Sequence, residues 1–187
     1  MLIETERLTM RPFTPGDLPE LLRMRADEEV VRYLGGVAKQ TPEFTEQRLR
    51  FHFDCYEKYG YGMFAVVRKS DGEFIGWGGL QPLEESGETE VGYGFDKPYW
   101  GQGYATEVAA AWLRYGFETV GHARIVAVAV PENAGSRHVL EKLGMSYEKN
   151  AEHYGIDCVF YAIRREEFAP REGFYAVHDS SGARQSG

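Results

Sequence analysis

The stretch ETEVGYGFDKPYWGQGYATEVAAA, Glu88 to Ala111, decides how the rest of the chain is read. In Thr89 to Phe95 the bulky residues Val91, Tyr93 and Phe95 alternate with Glu90, Gly92 and Gly94, the period of a β-strand. One face is bulky, and the other is bare except for a carboxylate. Two glycines on one strand face predict that something lies close against the backbone there. A turn follows at Lys97-Pro98-Tyr99. Trp100-Gly101-Gln102-Gly103-Tyr104-Ala105 then opens a helix, in which Ala105, Val108, Ala109, Trp112 and Gly116 recur at helical spacing. A glycine-rich helix entrance presents unpaired N–H groups and the positive end of the helix dipole, an arrangement suited to an anionic phosphate.

Several phosphate-binding and catalytic classes are excluded by spacing. Thr106 stands where the third glycine of a dinucleotide fingerprint belongs, and no Gly-Lys-Ser/Thr follows the turn. No Gly-x-Ser-x-Gly elbow and no His-Glu-x-x-His pair occur. The five histidines (His52, His122, His138, His153 and His178) show no metal-ligand spacing, so no metal is expected.

On these residues the segment resembles the acyl-CoA-binding turn of the GCN5-related N-acetyltransferases (GNAT), in the form found in the ribosomal-protein N-terminal acetyltransferase (RimJ/RimL-like) branch. The family pattern is Arg/Gln-x-x-Gly-x-Gly/Ala, and Trp100 to Ala105 departs from it at the first position. Tyr-Trp-Gly-x-Gly-Tyr-Ala is a familiar variant in that branch. The resemblance implies a single mixed α/β domain in which acetyl-CoA sits where two central strands splay apart. It also implies transfer of the acetyl group to a primary amine, a protein N-terminus before a polyamine, amino acid or antibiotic. A non-catalytic acyl-CoA-binding module is the competing class.

The same resemblance assigns residues. Cofactor contacts are expected from Val91, Gly92 and Tyr93 on the strand and from Trp100, Gly101, Gln102, Gly103, Tyr104, Ala105 and Thr106 in the turn. Asn133 and Ser136 are expected to contribute at the start of the last helix. Glu90 reads two ways: as a solvated strand carboxylate, or as the base that takes a proton from an arriving ammonium. Asn133 likewise reads as a helix cap or as a cofactor contact. The family places a tyrosine just before a Glu-x-x-Gly pattern to protonate the leaving thiolate, but here Leu140 precedes Glu141-Lys142-Leu143-Gly144. Ser136 is the candidate substitute. A thiol pKa of about 8.5 means the leaving group needs only modest help.

Composition sets the bounds. A chain of 187 residues, 43% hydrophobic and 27% charged, suits one domain with a full core. A net charge of -8 and the lack of a basic stripe argue against nucleic-acid binding. Cys55 and Cys158 are isolated and read as reduced thiols. Met1-Leu2-Ile3 meets charge at Glu4, and no apolar run approaches the ~20 residues of a membrane span. A cytoplasmic location is expected, without a membrane partner.

Outward from the central stretch, Arg7 to Thr14 reads as a first strand, with Pro12 at an edge or a strand end. Leu18 to Arg25 reads as a helix, and Val30 to Leu34 as a short apolar segment. A long helix runs from Thr41-Pro42 to Tyr59 with Gly60 as its stop. Phe44, Phe51, Cys55 and Tyr59 lie along one face, with Leu49, Phe53 and Tyr56 widening the apolar area; the helix reads as broadly packed, or its spare rings line a substrate cleft or a homodimer contact. Tyr61 to Leu83 reads as a hairpin turning at Ser70-Asp71-Gly72. Arg124 to Val130 is an apolar strand, a helix follows from Asn133 to Gly144, and strands near Met145–Lys149 and Ile156–Arg164 close the order. His153-Tyr154 reads as a surface turn. The domain is bounded at 4–168. Residues 169–187 lose periodicity and are expected to be a disordered or loosely attached tail.

Overall fold

The computed structural model describes residues 1–84 and 86–178. Among them nine strands form one mixed sheet in the order β7-β8-β6-β5-β4-β3-β2-β1-β9. The strands are β1 Leu2–Thr5, β2 Leu8–Pro12, β3 Met63–Arg68, β4 Phe74–Pro82, β5 Thr89–Phe95, β6 Arg124–Ala129, β7 Ser146–His153, β8 Ile156–Arg164 and β9 Tyr175–His178. The helices are α1 Leu18–Arg25, α2 Glu28–Val31, α3 Pro42–Tyr59, α4 Tyr104–Arg114 and α5 Ala134–Lys142. None of the described helices is long and apolar enough to cross a membrane.

Alternation along β3 divides the core into two layers. Phe64 and Val66 face the larger cluster, which holds Val108 and Trp112 of α4 together with Val91 and Phe95 of β5. Met63 and Ala65 face the other side, where Leu21 and Met24 of α1 and Leu49 of α3 pack with Trp77. Local chemistry explains the ends of α3. The Thr41 hydroxyl accepts from the Phe44 N–H, Pro42 occupies the first turn, and Gly60 ends the helix in the left-handed region.

The inward face of α3 differs from the expected one. Thr45, Leu49, His52 and Cys55 are buried, whereas Phe44 and Tyr59 are 37% and 39% exposed. A polar threonine and histidine occupy core positions, so hydrophobic spacing found Leu49 and Cys55 but missed the other half of the buried stripe. β1 was not anticipated, and Pro12 ends β2 inside the sheet, between β1 and β3. The loose-tail reading fails for Tyr175–His178, which pair antiparallel with β1 from Leu2↔His178 to Thr5↔Tyr175. The remaining tail residues, 179–187, lie outside the described ones.

The bare face of β5 is filled by the protein itself. A Cβ at Gly92 would approach Met63 Cε to 2.7 Å, and one at Gly94 would enter the Trp77 ring. Gly78 serves α4 in the same way, since a side chain there would strike Val108. The tightest of these sites is Gly79, where a Cβ would run into the Gly62 carbonyl and come within 2.7 Å of Met63 Cα. Backbone cannot swing aside as a side chain can. Gly79→Ala is therefore expected to cost about 1–3 kcal/mol and to lower Tm by several degrees in a thermal melt. Gly135→Ala, whose Cβ meets only Asn133 Oδ1 at 3.8 Å, should leave Tm unchanged or raise it slightly.

Candidate active site

The site begins where the sheet stops being a sheet. β5 pairs with antiparallel β4 along its whole length, from Gly76↔Phe95 to Pro82↔Thr89. On its other side it pairs with parallel β6 at one register position, Glu90↔Val126, and no residue of β5 beyond Glu90 is paired with β6. Glu90 thus stands at the vertex of the splay.

Glu90 is 5% exposed, so it is not a solvated strand carboxylate. Its Oε1 accepts from Gln81 Nε2 and from the Tyr154 hydroxyl. Gln81 is held in turn by Arg48 Nη2, which donates to Gln81 Oε1 at 3.0 Å. Burial pushes the Glu90 carboxyl above the usual carboxylate range. The hydrogen bonds from Tyr154 and Gln81 and the charge of Arg48 oppose that shift without cancelling it. Tyr154 is itself shifted upward by burial and by Glu90, so its hydroxyl stays protonated. It reaches Glu90 from the β7–β8 turn with a φ of +56°, an uncommon value for a residue other than glycine. Two bonds to Glu84 hold that turn: Tyr154 N–H to Oε1 at 2.9 Å, and His153 Nδ1 with Oε2 at 2.8 Å.

The glycine turn is built as its sequence implies. Asp96 accepts from the Lys97 N–H at 2.9 Å, and Trp100 Nε1 donates to the Phe95 carbonyl at 2.8 Å. Gly101 and Gly103 adopt φ of +72° and +80°, backbone that side-chain-bearing residues rarely take. A Cβ on Gly101 would meet nothing within 4 Å, so the space outside the turn is open. The first bond of α4 runs from the Glu107 N–H to the Gly103 carbonyl at 3.1 Å. The N–H groups just before Glu107 therefore have no partner within the helix. That open cradle of backbone donors fits a pyrophosphate.

Arg7 braces the turn from the far end of the sheet. It donates to the Gln102 carbonyl at 2.9 Å and lies over the Tyr104 ring at 4.4 Å. It also pairs with Glu107 at 2.6 Å, while the Thr5 hydroxyl donates to the same carboxylate at 2.6 Å. These contacts neutralise the one acidic residue in the first turn of α4.

Asn133 and Ser136 enter from α5. Asn133 Oδ1 accepts from the Ser136 N–H at 3.1 Å, the cap geometry its position predicts. Ser136 Oγ lies 3.1 Å from the Tyr93 hydroxyl. Tyr93 also donates toward the Ser136 carbonyl at 3.2 Å. Burial pushes Tyr93 up to about 12, with the Ser136 contact opposing, so this phenol is protonated at neutral pH. Leu140 is buried and carries no proton to give.

The structure brings Asn133 and Ser136 of α5 to Tyr93 of β5, sets Glu90 at the vertex of the splay and builds the Gly101–Thr106 turn at the entrance of α4. Arg48, Gln81 and Arg7 were not singled out from sequence, and Tyr154 was read as surface. Gln81 alone carried a signal, since it stands opposite Glu90 in the β4–β5 register. Among the described residues no group of three or more His, Cys, Asp or Glu is placed to hold a metal ion.

The family model described as Acetyltransferase (GNAT) domain matches residues 7–146. The uncharacterized protein YkkB of Bacillus subtilis is 32% identical over 162 residues, covering 84% of this chain and 92% of that protein. A protein of Aspergillus fumigatus named FsC-acetyl coenzyme A-N(2)-transacetylase is 29% identical and covers 89% of this chain and 77% of its own length. The crystal structure of a GNAT-family acetyltransferase from Bacillus anthracis is 31% identical, with a TM-score of 0.74 over 89% of this chain and 100% of that one. With the splayed strands, the glycine turn and these likenesses in hand, the chain belongs to the GNAT family and is an acetyl-CoA-dependent N-acetyltransferase.

Proposed function

We propose that the acceptor is a peptide N-terminal amine and that Glu90 takes its proton. The observation carrying this reading is a buried carboxylate with a raised pKa at the vertex of the β5–β6 splay. When bound, acetyl-CoA supplies an acetyl group activated as a thioester. In this reading the N–H groups of Gln102 to Thr106 hold its pyrophosphate, with Trp100 and Gly101 shaping the turn. Val91, Gly92 and Tyr93 border its pantetheine arm, which Asn133 and Ser136 close from α5.

Glu90 accepts a proton from the arriving ammonium, directly or through a water, while Tyr154 and Gln81 fix the carboxylate's orientation. A backbone N–H of β5 stabilises charge on the thioester oxygen. Ser136 is the proton donor to the departing sulfur. The one Tyr93 hydroxyl proton, within reach of both the Ser136 carbonyl and Oγ, turns from the carbonyl to Oγ and frees the serine proton for the thiolate, so Tyr93 and Ser136 supply together what Leu140 cannot.

Electrostatics favours an α-amine over a polyamine. An α-amino group has a pKa of about 8 and a lysine-like amine about 10.4, so the smaller gap to Glu90 makes proton transfer easier. The Arg48 guanidinium, one hydrogen-bonded residue behind Glu90, repels a polycation. The RimJ/RimL-like form of Tyr99 to Ala105 supports the same acceptor class. The Aspergillus relative's name favours a second reading, a small-molecule amine. A cytoplasmic location and a homodimer remain part of the proposal, and the two buried, unpaired cysteines suit the former.

The test is thiol release from acetyl-CoA with short peptides of varied N-terminus beside spermidine and free amino acids. Peptides are expected to turn over fastest; turnover of the small amines alone would refute the peptide assignment. Glu90→Gln should lower kcat by about 10²–10⁴-fold and leave acetyl-CoA affinity unchanged.

The same variant should be more stable. A carboxyl whose folded pKa is raised binds its proton more tightly in the folded state, so its contribution to stability falls as pH rises through the folded pKa. Glu90→Gln removes that loss. Its Tm is expected to exceed the wild-type value at pH 8 and to converge with it toward pH 4, as read by thermal melts across pH.

A further inference from the structure

The two faces of β5 have different partners. Val91 packs in the cluster of α4, and Tyr93 meets Ser136 of α5. Side chains alternate along a strand, so Glu90 points the other way, toward Gln81 of β4, Tyr154 and, through Gln81, Arg48 of α3. With the cofactor arm on the α4–α5 side, the acceptor amine reaches Glu90 from the α3 side. The charges standing there decide what else the acceptor can carry.

Those charges are positive. Arg48 Nη2 donates to Gln81 Oε1 at 3.0 Å, and the guanidinium carbon lies 4.6 Å from the Phe51 ring centroid. Its other donors have no hydrogen-bond partner among the described residues and are not sealed from solvent. Arg48 is thus a half-buried cation joined by one amide to the hydroxyl end of Tyr154. Lys39 stands at the backbone end of the same turn. Its ammonium is 4.0 Å from the position a Gly155 Cβ would take, and among the described residues it makes no hydrogen bond or ion pair. The 3₁₀ turn Val37–Lys39 that carries it is anchored, because Arg25 donates to Gln40 Oε1 at 2.6 Å and Gln40 Nε2 to the Leu34 carbonyl at 2.8 Å. The carboxylates near by are already engaged, Glu84 by His153 and the Tyr154 N–H, Glu90 by Gln81 and Tyr154.

In the empty cleft water satisfies Arg48. An acceptor that fills the cleft strips that water away. A neutral or basic acceptor then leaves a desolvated cation uncompensated, whereas a carboxylate compensates it. The spacing fits a short acceptor, since the Gln81 amide alone separates the guanidinium from Glu90. We propose that Arg48, assisted by Lys39, selects an acceptor whose first residue carries a carboxylate, either an acidic side chain at a peptide N-terminus or the α-carboxylate of a free amino acid. The guanidinium pairs with that carboxylate while Glu90 takes the ammonium proton. This assignment rests on the reading of Glu90 as the base.

The test measures kcat/KM by thiol release from acetyl-CoA, using the full chain. The acceptors are peptides identical except for a first residue of Asp, Asn or Lys, and alanine beside alaninamide. The Asp peptide is expected to exceed the isosteric Asn peptide about tenfold, with the Lys peptide last. Arg48→Gln should abolish the Asp-over-Asn preference, Arg48→Lys should keep most of it, and Lys39→Gln should reduce it. If Arg48 served only to hold Gln81, its loss would slow both peptides alike and leave their ratio intact, which would overturn the proposal. An Arg48-dependent preference for alanine over alaninamide, without peptide turnover, would place the selected carboxylate on a free amino acid. That result supports the role of Arg48 and refutes the peptide assignment. Equal turnover within both pairs by the wild-type protein would overturn the proposal, whatever Glu90→Gln shows of the base.

Discussion

The pairing of β5 with β6 at Glu90↔Val126, and its failure beyond that residue, is the constraint on which the rest of the molecule depends. A parallel neighbour that diverges leaves a strand edge inside the protein, where unpaired backbone groups are costly unless a ligand meets them. The fold tolerates this because β5 is held along its whole length by β4 and because α4 is pressed onto β4 at Gly78. The same helix presents its glycine-rich entrance at one end of the splay. Strand edge and helix entrance are thus fixed against each other by packing, before any substrate arrives.

Charge in the interior follows from that architecture. Glu90 is buried at the vertex and kept there by neutral donors from β4 and from the β7–β8 turn. Arg48 stands behind those donors, close enough to draw the carboxylate toward ionisation without forming an ion pair with it. A direct Arg48–Glu90 pair would lower the Glu90 pKa and weaken it as a base. Placing Gln81 between them keeps the carboxylate both oriented and basic. Burying that carboxylate without a direct ion pair costs stability, and it suits the proton-accepting role proposed for Glu90.

Much of this was legible in the sequence, because much of it is local. The strand, turn and helix of Glu88 to Ala111, the Thr41 and Gly60 limits of α3, the hairpin through Asp71-Gly72 and the Asn133 cap all follow from residues within a few positions of one another. What stayed hidden depends on distant pairings. Tyr154 meets Glu90 across 64 residues of sequence and Arg7 meets Glu107 across 100, and no periodicity encodes such contacts. β9 looked like tail because an edge strand of four residues offers too short a pattern to read. The two glycines of β5 correctly announced a close approach, but Met63 and Trp77 make it. Half of the core face of α3 was missed because Thr45 and His52 are polar residues turned inward.

The central claim is that the splay and the Gly101–Thr106 turn together form the seat for acetyl-CoA. Titration calorimetry of the chain with acetyl-CoA, beside a Gly103→Val variant shown to be folded, tests it most directly. The Gly103 φ of +80° excludes a β-branched residue without reshaping the turn. The account predicts one molecule bound per wild-type chain and loss of that binding in the variant. Absence of binding to the folded wild type, or equal binding by both proteins, would contradict it.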